Sequence, residues 1–137
     1  MLALLAGCRG ERDALRDYLA ADLPSLTEGS QAVVEAFRRA ATPRELDERV
    51  VLPYRAILER LRAYEPSSDT VRRLHAAYVA AAERQLAAFE TARSALASGR
   101  SLDEAAGMLK LVRSDLDRWL TEVTANAERL GVALLGP

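Results

Sequence analysis

Residues 101–123, SLDEAAGMLKLVRSDLDRWLTEV, decide the fold class of this chain. Leu102, Ala105, Leu109, Val112, Leu116, Trp119 and Val123 recur three and four residues apart. That spacing lines up one face of an α-helix. Sustained over about six turns, it is the seam of a helical bundle or coiled coil. Ser101-Leu102-Asp103-Glu104 has the order of a capping box, and Gly131 is a natural C-terminal stop. Leu134, Leu135 and Pro137 follow as a short apolar tail.

Working back from this stretch, three further helical segments are predicted. Asp69 to Ser98 carries Val71, Leu74, Tyr78, Ala82, Leu86, Phe89 and Leu96 on one side and ends at Gly99. Its many alanines keep helix propensity high and allow close helix approach. The segment before it opens at Thr42-Pro43-Arg44-Glu45, a capping box with Pro at the first helical position. Leu46, Val50, Tyr54, Ile57, Leu61 and Tyr64 form its stripe, and Glu65-Pro66-Ser67-Ser68 ends it. The first segment spans about Glu11 to Ala41, with Leu15, Leu19, Leu26, Val33 and Phe37 in register, and Pro24 and Gly29 interrupt it. Proline lacks the N–H of the helical ladder and its ring meets the carbonyl four residues back. Kinks are therefore predicted near residues 24 and 53, with a kink or break near Leu23. Short connections make neighbouring helices antiparallel. The expected fold is all-α, an up-down-up-down antiparallel four-helix bundle.

Composition narrows the function classes. Half of the 137 residues are hydrophobic and 28% are charged, the balance of a globular domain rather than a disordered one. The formal net charge of −1 argues against nucleic acid as the main partner, because phosphate binding needs clustered positive charge. No apolar run reaches the roughly 18–20 residues of a transmembrane helix. The one cysteine leaves no room for an internal disulfide, a CxxC redox site or a zinc ribbon within these residues.

That cysteine stands in Leu5-Ala6-Gly7-Cys8, followed at once by polar Arg9-Gly10-Glu11. The four residues resemble a bacterial lipobox, the signal for attaching lipid to a cysteine. The resemblance covers only the first eight residues. It implies that Leu5, Ala6 and Gly7 are read by the signal peptidase and that Cys8 becomes the lipidated N-terminus. Residues 1–7 would then be the end of a signal peptide and 8–137 a single helical domain. A thiolate is a strong nucleophile, and two or more acyl chains give stable anchoring. The resemblance implies a cell-envelope location, with outer-membrane sorting favoured in a Gram-negative host because Arg9, not Asp, follows the cysteine. A secretory signal carries a basic region and a longer apolar stretch. The alternative is a cytosolic helical regulator whose genuine start is Met1.

Other candidate sites are sparse. His75, the only histidine, has Val71, Tyr78, Val79 and Ala82 at helical spacing around it. With Tyr54, Tyr78 and Trp119 it could line a pocket for an apolar ligand, or for haem with Met108 opposite. The commoner role of such residues is core packing with the polar tip at the boundary. A di-iron bundle needs Glu-x-x-His pairs, and Arg72 stands three residues before His75. Asp13/Asp17, Asp115/Asp117 and Glu45/Asp47/Glu48 read as solvated helix surface. No glycine-rich phosphate loop or nucleophile elbow is present. The leading expectation is a non-enzymatic envelope protein, lipid-anchored, without cofactor, metal or nucleic acid, that binds an envelope protein partner. The alternative in a different class is a periplasmic small-ligand or haem-binding bundle.

Overall fold

The computed structural model describes residues 2–134, with side chains from Gly10 onward. The side chains of Leu5, Ala6, Gly7 and Cys8 lie outside the described residues, as do Leu135 and Pro137 of the apolar tail. Among the described residues every regular element is helical and there is no strand. Five helices follow one another: α1 (residues 2–26), α2 (Ser30–Arg39), α3 (residues 43–63), α4 (Asp69–Ala97) and α5 (Asp103–Leu130).

The first predicted segment is two helices, not one. Its break falls at Thr27–Gly29, at the second of the two interruptions read in the sequence, and not near Leu23. Gly29 takes φ 91°, a left-handed conformation that suits glycine, and Thr27 Oγ1 donates to the Leu23 carbonyl as the helix closes. Pro24 is carried through instead. Tyr18–Asp22 forms one π-helical turn, in which the Leu23 N–H bonds to the Tyr18 carbonyl five residues back. Asp47–Val51 in α3 does the same, with Leu52 bonded to Asp47. Each wide turn ends at the leucine directly before a proline. The ladder changes register where the missing N–H would otherwise leave a gap. Where the sequence predicts two kinks, the structure has two π-turns, one directly ahead of each proline.

Helix ends follow local chemistry. Thr42 Oγ1 accepts from the Glu45 N–H at 3.1 Å, and the Thr42 hydroxyl donates to the Glu45 carboxylate at 3.1 Å. Gly99 and Gly131 take φ 66° and 73°, closing α4 and α5 at the predicted stops. The box predicted at Ser101 does not form. Ser101 Oγ accepts from Asp103, two residues on, and Leu102 occupies the cap position. At α4 the Ser68 Oγ accepts from Val71. The N–H groups of Asp69 and Thr70 go to Glu11 of α1, each at 3.2 Å. Three orphan donors of one helix are thus satisfied by two side chains, one of them from a different helix.

Cross-contacts give the pair directions. Thr70–Arg129, Leu74–Trp119 and Arg84–Asp115 run α4 and α5 antiparallel. Asp47–Arg93, Tyr54–Gln85 and Leu61–His75 do so for α3 and α4. Glu11–Thr70 and Tyr18–His75 lay α1 parallel to α4. The core has two parts. One gathers around Phe89, fully buried against Phe37 and Tyr54 at ring distances of 5.0 and 5.4 Å. The other contains Leu15, Tyr18, Val71, Leu74, Val123 and Ala127. Burying a side chain such as Phe89 contributes about 2–3 kcal/mol.

Candidate binding groove

Four sequence-predicted residues, His75, Tyr54, Tyr78 and Trp119, do not converge on one cavity. His75 is buried on α4. Its Nε2 lies 2.6 Å from the Leu61 carbonyl, which can only accept, so Nε2 carries the proton. Its Nδ1 then accepts from the Tyr18 hydroxyl at 2.9 Å. Both ring nitrogens are engaged within the protein, and ligation of an iron through Nε2 would have to break the Leu61 bond. Tyr18 and Tyr64 rings pack on the imidazole at 5.6 and 4.9 Å. The Tyr64 hydroxyl donates to Asp22 at 2.7 Å. Burial, with this hydrogen bond adding to it, pushes the Tyr64 phenol up to about 12. Burial raises Tyr18 further still.

Tyr54 belongs to the other half of the core. Its hydroxyl donates to Gln85 at 3.0 Å, and burial raises its pKa. Tyr78 and Trp119 form an edge-on pair at 5.0 Å between α4 and α5, and burial raises the Tyr78 phenol too. The Trp119 Nε1–H donates to the Leu74 carbonyl at 2.9 Å. Met108, the residue expected opposite His75, is half-buried in the second turn of α5, eleven residues before Trp119, the α5 residue that bonds to Leu74 beside His75. Among the described residues no group of three His, Cys, Asp or Glu side chains is arranged to hold a metal. No helix among the described residues is long and apolar enough to cross a membrane.

Of these residues, only Trp119 faces a sizeable apolar hollow. A groove of about 530 Å³ runs between α1 and α5. Leu19, Ala20 and Leu23 form its α1 wall, and Trp119, Leu120 and Val123 its α5 wall. Val132, Ala133 and Leu134, the chain beyond Gly131, close a third side. Arg16 is the one charged residue in the lining. Local folding explains the placement. Leu15 and Tyr18, three residues apart on α1, are fully buried, while Leu19 beside them is only half-buried and reaches the groove. The Val132 N–H bonds to the Ala127 carbonyl at 2.8 Å, turning the tail back over α5. Leu120 is 55% exposed, directly beside the fixed indole.

A second hollow of similar size, about 510 Å³, lies at the α4–α5 turn. Its lining mixes Glu90 and Glu104 with Arg100, Thr91, Ser94 and Ser101, charges of both signs in open contact with water. It offers no uniform chemistry to a ligand. The apolar groove is the stronger binding feature. Sequence periodicity reaches Leu19, Trp119 and Val123 but misses Leu120, which stands off the α5 stripe. An exposed leucine next to the only tryptophan was the available signal. Comparison with protein-family models, with curated proteins and with solved structures finds no match to this chain.

Proposed function

We propose that this protein is a lipid-anchored, non-enzymatic helical binding module of the bacterial cell envelope, tethered through Cys8. The α1–α5 groove is its binding face, and its partner is an envelope component. The observation that carries the reading is the position of the groove on the helix that also contains the lipobox-like residues. Helix α1 begins at Leu2 and continues to Leu26. From Cys8 to Arg16 is eight residues, roughly 12 Å of helix at about 1.5 Å per residue. A surface presented this close to the anchor faces membrane-proximal partners. In the same reading α1 and α2 together form the first rod of an up-down-up-down four-helix bundle, with α3, α4 and α5 as the other three.

The test uses the native gene with its upstream sequence, beside Cys8→Ser. A lipid-sized mass increment and detergent partitioning, both lost in Cys8→Ser, are expected. An unmodified soluble chain retaining Met1 would sink the anchor and leave the cytosolic-regulator reading.

A further inference from the structure

We propose that the α1–α5 groove holds a single fatty acyl chain, its carboxylate paired with Arg16. This rests on the reading of the groove as the binding face, but not on lipid attachment at Cys8.

Size selects a slim occupant. A peptide helix about 10 Å across displaces roughly 420 Å³ per 5.4 Å turn. A groove of about 530 Å³ therefore admits little more than one turn. The same volume lies within the range of small-molecule pockets, roughly 300–1,000 Å³. Shape points the same way. The hollow has three walls, α1, α5 and the tail from Val132 to Leu134.

Polarity is arranged end to end. Arg16 begins the α1 wall, and Leu19 and Leu23 follow it one and two turns on, with no further charge. Its guanidinium meets Asp13 through one nitrogen at 2.8 Å, and the side chain is 57% exposed. The rest of the donor fork can take a carboxylate in the paired geometry that arginine favours. An apolar trough with one cation at its end is complementary to an acid-headed hydrocarbon. Covering the exposed part of Leu120 gives binding a hydrophobic contribution of about 25 cal/mol per Å². The indole needs no ordering on binding, because Leu74 and Tyr78 already hold it.

The groove carries its own reporter, since Trp119 is the only tryptophan. The full chain is titrated with an octadecanoic acid dibrominated at mid-chain, bromine being a contact quencher of indole fluorescence. Saturable quenching at one acid per chain is expected. Leu120→Arg places a charge in the trough and is expected to weaken binding by about tenfold or more, equivalent to about 1.4 kcal/mol. Leu111→Arg changes a leucine of the same 55% exposure on the same helix outside the groove, and is expected to leave binding unchanged. Arg16→Gln is expected to weaken the acid and not its methyl ester. Helical circular dichroism verifies that each variant is folded. Absent saturable quenching, or equal quenching in wild type and Leu120→Arg, overturns the acyl site. Equal affinity for acid and ester in the wild type overturns the role of Arg16. The anchored-module reading is judged separately by mass and partitioning. An absent quench alongside an intact lipid increment would therefore defeat the acyl site alone.

Discussion

The Tyr18 hydroxyl and His75 Nδ1 lie 57 residues apart in the chain and share a buried 2.9 Å hydrogen bond. The second ring nitrogen of His75 donates to the Leu61 carbonyl, so one imidazole joins α1, α3 and α4. A buried donor or acceptor that loses its partner costs about 1–3 kcal/mol. His75→Ala strands two such groups and opens a cavity, and is expected to cost about 3 kcal/mol or more. Tyr18→Phe removes one hydrogen bond and keeps the ring, at about 1 kcal/mol. Denaturant midpoints of both variants and the double variant check this. Strictly additive losses would show that the two residues do not act as a unit.

Glu11 caps a helix to which it does not belong. Hydrogen bonding from the Thr70 side chain, joined by the Thr70 and Asp69 backbone N–H groups, holds its carboxyl below the ordinary value of 4.5. The folded pKa is the lower one, so this stabilisation is complete above about 4.5 and disappears as pH falls through the folded value. Glu11→Ala is expected to cost about 1 kcal/mol near neutral pH, the usual loss for a helix cap. Glu11→Gln is expected to flatten the acid limb of the stability–pH curve. An unchanged acid limb would mean that the cap does not form in solution.

The buried phenols set the alkaline limit. Unfolded tyrosines ionise near 10.0, whereas Tyr64 in the folded chain is held at about 12 and Tyr18 higher. Here the folded pKa is raised above the unfolded one. The contribution is complete below pH 10 and is lost as pH rises toward the folded values. Tyrosinate absorbance followed against pH is expected to rise late, together with loss of helical circular dichroism. Four phenols titrating near pH 10 in a folded chain would contradict the burial described above.

Two glycines are expected to respond to alanine in opposite directions. Gly29 holds φ 91°, and an added Cβ would meet Ile57 at 3.9 Å, so backbone strain rather than crowding governs it. Gly29→Ala is expected to destabilise by about 1–2 kcal/mol. Gly107 lies inside α5 with open space around its Cβ position, and Gly107→Ala is expected to stabilise by about 0.5–1 kcal/mol. Thermal midpoints shifting the same way in both would refute the assignment.

The helices were legible in the sequence because their signals are local. The 3,4 stripe from Ala105 to Val123, the stops at Gly99 and Gly131 and the cap at Thr42 depend on neighbours within one or two turns. So does the burial of Val71, Leu74 and Phe89 on one face of α4. The cost of a proline in a helix is local as well. The local pattern does not show that each proline follows a π-turn rather than a break; Tyr18 and Val50, which lie in those turns, are buried in the core.

Everything that makes a site here depends on residues far apart in the chain. Tyr18 meets His75, and Glu11 reaches Asp69 and Thr70, only after α1 has settled along α4. Tyr54 and His75 carry the same kind of helical pattern, yet packing sends them to opposite halves of the core. The groove joins α1 to the last turns of α5 and the tail beyond Gly131. Local residue order sets which stretches are helical and which of their faces are apolar, apart from the division of the first stretch into α1 and α2. Tertiary structure decided which polar groups pair and which apolar face stays uncovered, because complementary burial is a property of whole surfaces and has no local period.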